Sequence, residues 1–449
     1  MWTFPTTDRR GFLCRDILMI LAVGLIVRYV VGVFLTYSDD VQSWALTIAN
    51  FEAGGGLYGL AGYNYAPPWG YILGFVSVIG EFFGVDMFGS RLTDALPAEQ
   101  YSDWVAESLV PSLEFALMVK TVFFVSDILV GYVVYRIIMD RCDDQRKAVI
   151  GFGLWFLCPF VITAGAAQGM FDTISVLLTL LCVYMVMKDR CFLAGMLMGT
   201  AVFLKLFPAF FIFVLIGYIL LRHRGDGNWK MMLVRAAAGV LVMTAIIFAP
   251  QVADGTLSES FSFLTSRTEN MGSGLGPLVG YLTIAAYLAI LIVSMLLGNS
   301  VRTSKTSDPD RVLLVMLLVN VAVVFLYPSS AQYMVLLVPF LAFQILMTSR
   351  RYMGPMVLMM VGVTMFALSR NAVNLLTVAG FTDLVSMDTV LAAIDWFQQP
   401  ILLSFSATDI LHVGGVMEYI GILWTLYVFY DLHRNGSSGL ETTVCSESR

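Results

Sequence analysis

"AAQGMFDTISVLLTLLCVYMVMKDRCFLAGMLMGTAVFLKLFP", residues 166–208, holds two apolar runs, 173–188 and 191–206, joined at the turn Lys188, Asp189 and Arg190. Each run approaches the ~20 helical residues that a hydrocarbon core requires, and lipid offers the backbone no partner outside its own helix. A three-residue basic turn makes the two runs antiparallel. Their far ends, Gln168 and Asp172 on one and Lys205 on the other, therefore fall on the same side of a membrane.

Working outward, comparable runs recur over 16–36, 112–139, 148–167, 207–222, 232–250, 276–298, 312–328, 332–348, 353–369 and 410–431. The chain of 449 residues is 58% hydrophobic and 13% charged, with a mean hydropathy of +0.81, values that a soluble domain does not reach. The fold class is an all-α polytopic membrane protein. Residues 1–432 read as one integral membrane unit and 433–449 as a disordered cytoplasmic tail. No repeat of solenoid length and no inverted pair of halves is apparent.

Connections carrying Arg141, Arg146 and Lys147, Lys188 and Arg190, Arg222, Arg224 and Lys230, Arg302, Lys305 and Arg311, Arg350 and Arg351, and Arg434 go to the cytoplasm by the positive-inside rule, with both termini. The alternate connections, above all 37–111 and 370–409, then lie outside. The stretch 69–85 is long enough for a further crossing, but crossing there would invert every later loop, so a half-inserted or interfacial helix is expected, the alternative being a crossing with a weak return leg between 86 and 111. Arg9, Arg10 and Arg15 precede the first run without a small-residue cleavage site, which reads as a retained span. No cysteine falls in an outside loop, so no disulfide is expected.

An acidic balance, with a pI near 5.1, and the lack of a basic reading motif exclude a nucleic-acid partner. Three histidines and no outside cysteine leave no soft-metal set, and neither metal nor cofactor is expected. "AGGGLYGLAG" lacks the Lys-Ser/Thr ending of a phosphate loop and reads as a tight turn.

The topology gathers the polar exceptions on the outer face: Asp39, Asp40, Gln168, Asp172, Lys205, Gln332, Tyr333, Arg370 and His412. Bases there can hold a phosphate and a carboxylate can take a proton. Each has a plain structural alternative. Asp39 or Asp40 can cap a helix starting near Val41, and Asp172 one starting at Thr173. Lys205 can snorkel, Gln332 and Tyr333 can anchor at the interface, and His412 reads as an interface residue. Arg28 and Asp127 lie inside spans, where an ionised group needs a partner, and read as a buried pair.

"SDDVQSWALTIANFEAGGGLYGLAGYNYAPPWGYIL", residues 38–73, resembles the first extracytoplasmic loop of type C glycosyltransferases: an acidic residue, a Trp-Ala helix, a G-x-L-Y turn and a Y-x-Y-x-P entry to the next helix. "VKTVFFVSDILVGYVVYRI", the opening stretch and "YPSSAQYMVLLVPF" agree in order with further motifs of that group. The pattern is similar to polyprenyl-phosphate-mannose-dependent mannosyltransferases, including GPI mannosyltransferases and glycosyltransferase family 87. The acidic pair here is adjacent rather than spaced, and "YPSSAQY" has extra residues before its Gln-Tyr.

The resemblance implies a bundle of about 12–13 spans with short helices in a long first loop. It also implies a polyprenyl (dolichyl)-phosphate sugar donor, a lipid-linked or glycan acceptor, and inversion at the anomeric carbon on the outer or luminal face. The membrane would be the plasma membrane in a prokaryote or the endoplasmic reticulum in a eukaryote. Asp40, or Asp39 as second choice, would be the base. Lys205, then Arg370 or Lys120, would receive the donor phosphate. Gln168, Asp172, Trp44, Tyr58, Tyr63, Tyr65, Gln332 and Tyr333 would contact sugar or acceptor. The competing class is a multi-span transporter or lipid flippase, against which stand the long outer loops and the one-sided polar cluster.

Overall fold

The computed structural model describes residues 12–58, 63, 65–91, 109–261, 277–327, 331–370, 372–382, 384–402 and 405–435. Every apolar run named above lies on a helix. The first gives α1 (Arg15–Phe34), and the loop after it folds into α2 (Ser38–Glu52) and α3 (Pro67–Phe83). Then follow α4 (Leu113–Cys142), α5 (Gln145–Phe156), α6 (Pro159–Ile162), α7 (Asp172–Met187), α8 (Cys191–Leu204), α9 (Ile212–Arg222) and α10 (Trp229–Ala253). The second half comprises α11 (Pro277–Thr303), α12 (Pro309–Val324), α13 (Leu337–Met347), α14 (Met353–Arg370), α15 (Ala372–Gly380), α16 (Met387–Gln398) and α17 (Ala407–Asn435). Among the described residues six helices are long and apolar enough to cross a bilayer, or seven if the bent pair α5–α6 is one span. The molecule is an integral, multi-pass membrane protein.

Local chemistry sets the breaks. Pro159 ends the ladder of α5, the axis turns by 46°, and Thr163–Ala167 relaxes into a π-turn. Ser112 and Asp308 cap α4 and α12 by accepting the N–H groups of Phe115 and Arg311. Helices α8 and α10 touch backbone to backbone, since a Cβ on Gly195 would run into the Ala236 carbonyl and one on Gly239 into that of Phe192. Helix pairs in lipid gain by such close approach, having no hydrophobic force between them.

Helix α3 is 17 residues long and buries Pro67, Pro68, Trp69, Leu73 and Val76 while exposing Phe75, Val78, Phe82 and Phe83. The Tyr71 hydroxyl donates to the Ile247 carbonyl at 2.6 Å and lies 2.9 Å from the Gln251 side-chain amide, tying α3 to α10. Four short strands were not foreseen: β1 (Phe88–Arg91) pairs antiparallel with β2 (Leu109–Pro111), and β3 (Pro400–Leu402) with β4 (Phe405–Ser406). Helices α15 and α16 lie within the segment expected only as an outer connection.

The buried pair forms as expected. The Arg28 Nε donates to Asp127 Oδ2 at 2.9 Å and its Nη1 to the Phe156 carbonyl at 2.8 Å, with both side chains fully buried. The cysteine expectation is corrected: among the described residues Cys142 is disulfide-bonded, whereas Cys14, Cys158, Cys182 and Cys191 are free. Compartment bears on whether a disulfide persists, not on which sulfurs the fold brings together. Residues 436–449 of the expected tail lie outside the described residues, and α17 continues through Asn435.

One end of the bundle collects the basic connections into a network. Arg141 bridges Asp308 and Asp310, Arg222 bridges Asp189 and Asp310, and Lys188 meets Asp140 at 2.8 Å. His223 stands between Asp189 and Asp226 at 3.2 and 3.0 Å. These residues come from four separate connections, which the charge rule had already assigned to one side.

Candidate active site

The opposite ends of the same helices build the site. After the π-turn the chain reaches Gly169 at φ +69°, a left-handed conformation that strains any other residue, although a Cβ would make only ordinary contact with Lys120 and Val41 at 3.5 Å. That reversal sets Gln168 before the turn and Phe171 and Asp172 after it. Asp172 is the first residue of α7, whose N-cap position is taken by Phe171.

Lys205 sits where "FLKLFP" leaves α8. Its backbone is extended, at φ −147° and ψ 135°, and Pro208 lies in the 3₁₀ turn that follows, so the side chain is held at a break between two helices. Rather than snorkelling, it is 6% exposed, with Nζ 3.3 Å from Asp172 Oδ1. The ammonium lies 4.3 Å from the Phe171 ring centre, 4.8 Å from that of Tyr333 and 6.0 Å from that of Tyr65. A desolvated cation is thus held by one carboxylate and three aromatic faces.

Helix α2 is tied to the same turn. The Tyr37 N–H donates to the Ala167 carbonyl at 3.2 Å, and the Thr36 N–H to the Leu375 carbonyl at 2.7 Å. Asp39 and Asp40 are half-buried in the first turn of α2, whose N-cap is Tyr37, so neither caps the helix. Their faces differ. Asp40 shares the side of buried Trp44 and Thr47, whereas Asp39 shares that of exposed Ser43 and Leu46. Trp44 packs edge-on to Trp69 at 5.0 Å and faces Phe171 at 6.3 Å, and Trp69 stacks on Phe171 at 4.6 Å.

Among the tyrosines, Tyr58 donates its hydroxyl to the Tyr65 carbonyl and Tyr63 to that of Ala66, each at 3.1 Å, which closes the loop on itself. Burial pushes the Tyr58 phenol up to about 12 and that of Tyr63 well above the ordinary value, so both stay neutral. Their contribution to a ligand is a ring face. Gln168 is 2% exposed and its Oε1 has no hydrogen-bond partner; the indole N–H groups of Trp44 and Trp69 are likewise buried without acceptors. Gln332 and Tyr333 lie on a 3₁₀ turn, Ala331–Leu336, that delivers Tyr333 to Lys205.

The geometry bears against one phosphate-binding expectation, that for Lys120. Lys120 is fully buried and donates to the Gly32 carbonyl, the Leu35 carbonyl and Thr36 Oγ1 at 2.9, 2.7 and 2.6 Å. All three N–H donors are committed to the end of α1, leaving none for a phosphate. Arg370 ends α14, and its side chain lies outside the described residues. His412 is exposed and faces the Thr408 carbonyl at 2.8 Å, in keeping with a structural role. Phe171 and Trp69 were missed; the signal was Phe171 beside Asp172 and Trp69 after the paired prolines.

The sequence model of glycosyltransferase family 87 matches residues 108–347, more than half of the chain. The match includes Lys120, Gln168, Asp172, Lys205, Gln332 and Tyr333, and begins after Asp39, Asp40 and the tyrosine loop. GPI mannosyltransferase 1 of Kluyveromyces lactis is 20% identical over 175 residues, 38% of this chain and 43% of that protein. Its Saccharomyces cerevisiae counterpart is 22% identical over 150 residues, 33% and 37% of the two chains. GPI alpha-1,4-mannosyltransferase I, catalytic subunit, of Danio rerio is 31% identical over 113 residues, 24% and 28%. The chain spans less than half the length of each of these relatives.

Proposed function

The chain belongs to glycosyltransferase family 87, and from that membership we propose that it transfers a hexose, mannose by analogy with its relatives' names, from a polyprenyl-phosphate donor to a lipid-linked or glycan acceptor. The observation that carries the reading is Lys205, a buried cation braced by Asp172, Phe171 and Tyr333 on the turn to which the acidic start of α2 is tied.

In this reading the acceptor hydroxyl oxygen attacks the anomeric carbon while the bond from that carbon to the phosphate oxygen breaks. The proton passes to Asp40, whose face of α2 is the inward one, and the electron pair leaves with the phosphate. General-base assistance of this kind contributes ~10²–10⁴-fold. The departing phosphomonoester is acidic already, so no proton donor is required. Positive charge is, and Lys205 supplies it without a solvent shell to rearrange. Gln168 Oε1 and the indole N–H groups of Trp44 and Trp69, buried and lacking partners, are suited to sugar hydroxyls. Lys120 fixes the end of α1 and hence the start of α2. The basic end of the bundle is assigned to the cytoplasm and the site to the outer or luminal face.

The test incubates the purified chain in nanodiscs with synthetic polyprenyl-phosphate-mannose and membrane lipid extract, following polyprenyl phosphate release. Release that disappears in an Asp39→Asn/Asp40→Asn double variant is expected. Absence of release from a folded preparation, with any polyprenyl-phosphate sugar and acceptor present, overturns the reading in favour of transport.

A further inference from the structure

At the far end of α9 from Lys205, a cavity of about 330 Å³ opens between α9, α10 and α11, lined by Leu220, Arg224, Trp229, Arg302 and Thr303. We propose that this cavity binds the phosphate group of an anionic lipid, a site separate from the proposed sugar-transfer chemistry.

The argument begins with pairing. At this end Arg141, Arg222 and Lys188 all meet carboxylates. Among the described residues Arg224, Arg302 and Lys230 have no carboxylate within ion-pair distance, although they sit on the same loops. Asp226, the acid nearest in sequence, is held by His223 at 3.0 Å. The Arg224 guanidinium donates to the Arg302 carbonyl, which fixes it at the rim. Lys230 rests 5.4 Å from the Trp229 ring centre, adding a third cation beside the cavity.

Like charges gathered without acids repel, and an anion relieves them; guanidinium forks match phosphate oxygens in pairs. Trp229 is also the first residue of α10, whose N-cap Asn228 makes no side-chain capping bond, so the positive end of that helix adds to the same field. The surroundings favour a lipid as the source of the phosphate. Below the cavity the outward faces of α10 and α11 present Val234, Leu241, Ile292 and Leu296, each more than half exposed, as an apolar wall for acyl chains. Basic cavities between spans at the cytoplasmic interface suit anionic headgroups on these grounds.

The experiment uses the full chain in nanodiscs of phosphatidylcholine with a minor fraction of phosphatidylglycerol, and native mass spectrometry of the released protein to count retained lipids. Preferential retention of phosphatidylglycerol is expected, lost several-fold in Arg224→Gln/Arg302→Gln. A charge-matched control, Arg146→Gln/Arg350→Gln, should keep the preference. Added inorganic phosphate separates the two sources: displacement assigns recognition to the phosphate group alone, and resistance assigns it to the whole lipid. Equal retention of both lipids by the wild type, or equal loss in both double variants, overturns the proposal. Should Arg224→Gln/Arg302→Gln not fold, Trp229→Ala must weaken retention, and its failure to do so overturns the proposal as well.

Discussion

The two ends of this helix bundle use charge differently. At the basic end Arg141, Arg222, Lys188, Asp140, Asp189, Asp308 and Asp310 form a network in which each named charge has an opposite partner, on partly exposed side chains. At the other end Lys205 is buried with Asp172 among aromatic faces, and Gln168 Oε1 and two indole N–H groups lack partners. Networks of partly exposed charges add modestly to stability and fix register between helices. Buried polar atoms without partners carry a penalty, and at the second end the hydroxyls of the proposed sugar would offset it.

The comparison is most easily broken at α2. Asp40→Asn should lower sugar transfer by ~10²–10⁴-fold while Asp39→Asn, on the exposed side of the helix, should have a much smaller effect, read as product formation per folded molecule. The reverse order would move the base to Asp39. A structural charge should behave otherwise: Arg28→Met strands Asp127 in the span and should cost about 3–5 kcal/mol of stability, measured by denaturant or thermal unfolding, with turnover of the remaining folded protein unchanged. Gly169→Ala forces a side chain to φ +69° and should cost about 1–2 kcal/mol, with a larger fractional loss of activity than of folded protein, because the turn carries Gln168 and Asp172.

The smallest effect concerns the tyrosine loop. The Tyr58 pKa is raised from 10.0 to about 12, chiefly by burial, so the stabilisation from its neutral form is complete below pH 10 and is lost as pH rises through 12. Limited proteolysis at the loop should therefore accelerate above pH 10, and Tyr58→Phe should blunt that rise.

Much of this was legible in the sequence for simple reasons. Apolar length locates helices because lipid permits little else, and Lys/Arg asymmetry sorts their ends; the loops of Arg141, Lys188, Arg222 and Asp308 indeed meet. Arg28 and Asp127 were readable as a pair because neither tolerates the bilayer alone. The role of Lys120 was not, since its acceptors are backbone carbonyls and a hydroxyl, to which composition is blind. Nor was the union of Lys205 with Asp172, both of which had plausible solitary roles at helix ends. The strands at 88–91 and 400–402 are too short to show alternation, and α15 and α16 lie in a segment with more polar residues than a span.

The most direct test sets one cation from each end against the other in the same assay. With polyprenyl-phosphate-mannose as donor, Lys205→Met should lower turnover by ~10²–10³-fold while the protein stays folded and monodisperse, and Arg222→Met should lower the unfolding temperature while leaving turnover per folded molecule unchanged. If Lys205→Met retains turnover, or if both variants lose activity only in proportion to folded protein, the division between a chemical end and a structural end is wrong.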